Sequence, residues 1–409
     1  MGIWNRPRCR IFVLDGQKYK TNVFALFLET PLRRETATKT ALLAEVLKRR
    51  NLHSMTKKAE ELFGAIWDVS IVKKGDRQLL LFSLETLKAV DVADGVAFLR
   101  ELLTAEDAFS VEVVERQKRI LKRRLDSLKD DKKALANRRA MEETAEGTNF
   151  AVCADGYTED LAGIDAKQLY AYYIELIEQA KVYLFFCGER TERGKLFPLR
   201  KLFAGESTEK MNLTAEPGKR KPQFLSEREQ MEQARLVLGF SADTATAGKQ
   251  AAVLLCSNIL GGDGDSLLFQ RVREENGLCY DIKSNIQPMT PYLFIQAGVR
   301  AEDAKKAGKE MLHCLKELQE NPVSQERLKQ AKQAVLQSYA GLEDNPWAMV
   351  DFFTEQALQG RRLSLDTFLR RIRRTDAEDI MWAAKRLRLQ TVYLLSGENE
   401  AKEKGDLRG

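Results

Sequence analysis

Histidine is nearly missing from this 409-residue chain, which has only His53 and His313. They stand 260 positions apart (313 − 53), so neither H-E-x-x-H nor the inverted H-x-x-E-H can be written, and no hydrolytic zinc site of that kind is predicted. His53 follows a run ending KRRN, where a helix dipole accounts for it. His313 adjoins Cys314 in the predicted helix AKKAGKEMLHCLKELQ, but adjacent residues do not share a helical face, and the two are read as an ordinary, partly buried pair. The phosphate loop is missing too. GFSADTATAGKQ and GERTERGKL both contain Gly-Lys without the G-x-x-x-x-G-K-[ST] spacing that aims backbone amides at phosphates.

There is no uninterrupted apolar run of about 18 residues, so no membrane span is predicted. The opening MGIWNRPRCRIFVLDG lacks a signal-peptide pattern and has Arg6 where a myristoylation motif needs Ser or Thr; a cytoplasmic location is expected. Six cysteines (Cys9, Cys153, Cys187, Cys256, Cys279, Cys314) show no C-x-x-C spacing and are read as reduced, mostly buried thiols. A large excess of one charge is absent as well: 66 basic against 60 acidic residues leave +6, which does not imply nucleic acid. The most basic stretch, ERQKRILKRRLDSLKDDKKALANRR, reads as one helix with Ile120, Leu121, Leu125 and Leu128 on its core side and a solvated charged face opposite.

What the chain does have is an internal repeat. DAKQLYAYYIELIEQAKVYLFFCGE (165–189) and DAEDIMWAAKRLRLQTVYLLSGE (376–398) are each an amphipathic helix followed by an apolar strand closing on Gly-Glu. TNVFALFLETPL precedes the helix ETATKTALLAEVLKRR, as ARLVLGFSA precedes AGKQAAVLLCSNILGG; the strands QLLLFSLE and YLFIQAGV and the helices VERQKRILKRRLDSL and QERLKQAKQAVLQSY continue the order. The expected fold is therefore α+β, with two homologous halves, each a mainly antiparallel sheet packed with helices. The predicted boundaries are 1–204 and 229–409, with 205–228, which includes GESTEKMNLTAEPGKRKPQF, as a linker.

One stretch carries a closer resemblance. LGGDGDSLLFQRVREENGLCYDIKS is similar to the C-terminal half of the pitrilysin and insulinase type of zinc metallopeptidases, in the short-chain bacterial and mitochondrial-processing branch, where L-G-G, L-F and R-E-x-x-G-L-x-Y recur. The resemblance implies a two-half clamshell in which one subunit binds zinc through H-x-x-E-H and the other supplies an Arg and a Tyr. Here those residues are Arg273 and Tyr280, seven positions apart.

Where the zinc motif is expected, this sequence has ALLAE, so Ala41, Ala44 and Glu45 stand for a ligand, the general base and the second ligand. RILKRRL, around Lys122 and Arg123, lies where a further ligand Glu is expected. An alanine methyl has no lone pair and one glutamate cannot replace three protein ligands, so no metal and no cofactor is expected in this chain. The resemblance implies a heterodimer with a homologous H-x-x-E-H subunit that carries the zinc, and a peptide as substrate. Gly261, Gly262 and Gly264 of GGDGDS are the implied substrate-facing loop, although Gly-Gly after a helix is also an ordinary cap. The competing readings are a pseudopeptidase scaffold, a homodimer when isolated, and a peptide-binding or maturation factor.

Overall fold

The computed structural model describes residues 2–5, 8–50, 52–104, 108–203, 205, 221–287, 289–361 and 364–397. The first half of the sequence gives strands β1 (Gly2–Asn5), β2 (Cys9–Asp15), β3 (Thr21–Pro31), β4 (Ile66–Lys74), β5 (Arg77–Leu87) and β6 (Lys181–Gly188). Its helices are α1 (Arg34–Arg50), α2 (Leu52–Glu61), α3 (Val92–Leu103), α4 (Val111–Ser127), α5 (Lys132–Thr144), α6 (Ala166–Gln179) and α7 (Phe197–Leu202). The second half gives β7 (Gln223–Glu229), β8 (Ala234–Ser241), β9 (Cys279–Ile286), β10 (Tyr292–Val299) and β11 (Arg388–Gly397). With them come α8 (Ala247–Gly261), a π-helical turn (Phe269–Glu275), α9 (Ala304–Glu320), α10 (Gln325–Ala340), α11 (Pro346–Leu358), α12 (Leu365–Arg374) and α13 (Ala377–Arg386).

These elements form an α+β fold with two mixed sheets, ordered β1-β2-β6-β3-β5-β4 and β7-β11-β8-β10-β9. Pairing is antiparallel except for β2 with β6 and β7 with β11. β3 and β10 lie inside their sheets and are buried along almost their whole length, which is why TNVFALFLETP and YLFIQAGV are continuous apolar runs rather than alternating ones. Local signals fix the helix starts: Asp165 and Thr246 cap α6 and α8, and Asp376 with Asp379 closes a capping box on α13.

The compact units do not follow the predicted contiguous halves. One comprises 1–127, 152–213 and 341–361; the other comprises 128–151, 214–340 and 362–409, within the described residues. Each includes one helix from the other half of the sequence. In the second unit, Leu135, Ala136 and Ala140 of α5 pack on Val237, Tyr292, Phe294, Tyr393 and Leu395, which the strand register places on a single sheet face. Thr144 comes so close to Gly239 that any larger residue on β8 there would overlap it.

In the first unit, α11 is fastened by polar groups. The Trp347 Nε1 donates to Glu85 at 2.7 Å, and Lys74 reaches Asp351 and Glu355 at 2.7 and 2.8 Å with its side chain only 10% exposed. Arg77, itself 3.1 Å from the buried Glu29, donates to the carbonyl of Leu358.

Three expectations change. The basic stretch is two helices, because α4 ends at Ser127 and Asp131 caps α5; Leu121 and Leu125 are buried, but Ile120 faces outward. Residues 223–228 of the expected linker belong to β7, held by backbone pairing with β11 although none of its side chains is fully buried. Most of the rest of that linker, 206–220, lies outside the described residues. Among the described residues no helix is long and apolar enough to cross a membrane.

Because Lys74 is buried against two carboxylates, Lys74→Ala should destabilise the chain by about 3 kcal/mol in urea unfolding. Lys18→Ala, which removes an exposed pair with Asp344, should change it by about 0.5 kcal/mol or less.

Candidate functional site

The position of the expected zinc motif is closed. Ala41 and Ala44 on α1 are 1% and 3% exposed, with their methyl groups in the core. Glu45 is bonded to Arg124 of α4, so the guanidinium beside the carboxylate comes from the residue after the predicted Lys122–Arg123 pair. Lys122 instead pairs with Asp126 at 3.0 Å along the same helix. A dication would need three protein ligands here and would meet two methyls and a carboxylate already neutralised by an arginine. These residues do not fit a zinc ion, and the described residues contain no group of three His, Cys, Asp or Glu able to hold a metal. His53 lies in α2; His313 is exposed on α9, 4.0 Å from Glu310, while Cys314 beside it is buried, which separates the pair read as partly buried together.

Arg273 and Tyr280 both lie in the second unit, and each sits on a backbone irregularity. Arg273 is on the π-helical turn, a widened turn found mostly as single insertions and often at functional sites. Its guanidinium lies 4.6 Å from the centre of the Phe269 ring and 3.6 Å from Glu274, with 43% of the side chain exposed. After it the chain turns through Gly277 at φ +61°, and the amides of Gly277 and Leu278 are taken by the carbonyls of Arg273 and Val272.

β9 then begins as an edge strand against β10. Val299 pairs with Cys279 and Gly298 with Asp281, which leaves Tyr280 as the extra residue of a β-bulge. A bulge re-aims a side chain, and Tyr280 is 58% exposed although its neighbour Cys279 is buried. Burial pushes the Cys279 thiol up to about 11, so that thiol is not a nucleophile at neutral pH.

The residue after the bulge is Asp281, which accepts from Arg235 of β8 at 2.6 Å and from Lys133 of α5 at 2.9 Å. Burial penalises its carboxylate, but the bonds and charges of Lys133 and Arg235 outweigh that and hold it below its ordinary 3.8. Sequence reading missed this cluster. Phe269 was legible at four residues before Arg273, but Lys133 is 148 positions from Asp281 and nothing local connects them.

The three loop glycines do different things. A Cβ on Gly261 would sit 2.6 Å from the backbone nitrogen of Ser284, so this glycine lets the end of α8 approach β9; Gly262 crowds Asn258 as the helix cap, and its amide donates to the Asn258 carbonyl at 2.8 Å. Gly264 is open and its carbonyl accepts from Gln270 at 2.6 Å.

The family model described as "Peptidase M16 inactive domain" matches residues 163–335, a span that includes Arg273 and Tyr280. A "Probable inactive metalloprotease YmfF" of Bacillus subtilis (strain 168) is 26% identical over 409 residues, covering 95% of this chain and 96% of its own length. The chain is thus similar to the peptidase M16 family, with the match to the family model lying in residues 163–335. Among solved structures, this chain is similar to a conserved protein from Enterococcus faecalis V583, with a TM-score of 0.88 and 24% identity over 96% of this chain and 97% of that one. It is also similar to a peptidase M16 inactive domain from Pseudomonas fluorescens, at a TM-score of 0.80 and 19% identity over 98% and 99%. At these identities the two structures support the fold. The matching model is of an inactive-domain type, and in this chain residues 41 and 44 are buried methyls while Glu45 is held in an ion pair.

Isothermal titration with zinc should show no stoichiometric binding to the isolated chain, and chelator should leave its thermal unfolding unchanged. Acid has a distinct expected effect at Asp281. Because its folded pKa is depressed, its contribution to stability is present above 3.8 and lost as pH falls through the lower folded value. Urea unfolding over a pH series should therefore show wild type more stable than Asp281→Asn near neutrality, with the gap shrinking below that value.

Proposed function

We propose that this chain is the zinc-free subunit of a heterodimeric M16 peptidase and lends Arg273 and Tyr280 to peptide-bond hydrolysis at the zinc of an H-x-x-E-H partner. The observation that carries the reading is the placement of this pair on a π-helical turn and a bulge, each leaving its side chain partly in solvent. A scaffold needs neither irregularity, since straight helix and unbroken strand pair more backbone groups.

Hydrolysis builds negative charge on the former carbonyl oxygen, and donors fixed at that oxygen stabilise the transition state more than the ground state. The Tyr280 hydroxyl donates there. The Arg273 guanidinium, planar and permanently charged, holds a substrate carbonyl or carboxylate beside it, and the Phe269 ring keeps it flat and in place. The substrate on this reading is a peptide, and the open edge of β9 offers unpaired backbone groups next to Tyr280. Alone, the chain lacks the ligands to activate water and is catalytically incomplete.

The test is to copurify the chain with an H-x-x-E-H subunit from the same source and assay peptide hydrolysis. Tyr280→Phe should lower kcat about 100-fold, and Arg273→Ala should raise KM and lower kcat/KM by a similar factor. Unchanged activity in both variants would favour the scaffold instead, as would a chain that purifies only as a homodimer.

A further inference from the structure

We propose that Asp281 is the positioning residue for Tyr280: its carboxylate, clamped between Arg235 and Lys133, locks the bulge that turns the phenol outward. This rests on the role given to Tyr280 above.

A bulged residue has no partner on the neighbouring strand, so its direction depends on what fixes the residues on either side. On one side Cys279 is buried and paired with Val299. On the other, Asp281 is paired with Gly298 and accepts two charge-assisted bonds, from Arg235 at 2.6 Å and from Lys133 at 2.9 Å. Arg235 is in turn oriented by Gln233, at 3.0 Å from its other terminal nitrogen.

The opposing residue is glycine for a steric reason. A Cβ on Gly298 would overlap the Asp281 carboxylate and crowd Arg235 at 2.8 Å, so the strand keeps that space clear for the carboxylate. Lys133 adds a second constraint because it comes from α5, the helix that the first half of the sequence contributes to this unit. The aim of Tyr280 is thus tied to the seating of α5.

The experiment places 3-fluorotyrosine at position 280 and records its 19F resonance in the isolated chain, then repeats the measurement in Asp281→Ala, Asp281→Asn and Gly298→Ala. Circular dichroism and thermal unfolding check each variant's fold. Asp281→Ala and Gly298→Ala should shift and broaden the resonance, and Asp281→Asn, which keeps an acceptor for Arg235 and loses the charge, should fall between. With the zinc-bearing partner added, Asp281→Ala should lower kcat roughly tenfold with KM changed by less than about twofold. In the Tyr280→Phe background it should have little further effect.

An unaltered resonance in both Asp281→Ala and Gly298→Ala overturns the proposal. A shifted resonance with peptidase activity untouched by Tyr280→Phe upholds the positioning and removes the catalytic role of Tyr280, which separates the two readings. If Asp281→Ala fails to fold, Arg235→Lys, which keeps the charge and loses the fork, is read by the same criteria.

Discussion

A sheet that is apolar on both faces has to be covered on both, and here the second cover of each sheet is a helix from the other half of the sequence. On one sheet it is α5, through Leu135, Ala136 and Ala140; on the other it is α11, through Trp347 and the carboxylates that receive Lys74. Both attachments join apolar packing to charge: α5 sets Thr144 against a glycine and pairs Lys133 with Asp281, and α11 buries Val350, Phe353 and Leu358 and receives Lys74 and Arg77.

That arrangement reaches the candidate site through Lys133. The same helix that closes the second sheet also supplies one of the two cations on Asp281, next to the bulge. Seating of a core helix and direction of a surface phenol are then parts of one packing arrangement. The α1 side has a comparable economy: methyl groups fill the core at 41 and 44, and the Glu45 carboxylate is matched by Arg124 rather than left as an uncompensated charge.

Around residues 41–45 the lack of metal-ligating side chains is a local feature within an uninterrupted fold. Ala41 and Ala44 sit on an intact α1, and β3, β5 and β6 beside it pair without interruption. The described packing around α1 is closed by apolar groups and an ion pair, while Tyr280 and Arg273 occupy backbone features that regular secondary structure would have avoided.

The α+β class and the repeated order of elements were legible in the sequence, since they depend on residue type and local period, as in the apolar runs at β3 and β10; Ala41, Ala44, Arg273 and Tyr280 could be named from residue type, but not what surrounds them. Only the tertiary structure decided the rest. Which sheet α5 and α11 join, the recruitment of 223–228 into β7 through backbone pairing, the Glu45–Arg124 pair and the clamp on Asp281 all join residues far apart in the chain. Local propensity sets what an element is; its partner is set by which distant surfaces fill one another's gaps and neutralise one another's charges, and that information is not stored at any one place in the sequence.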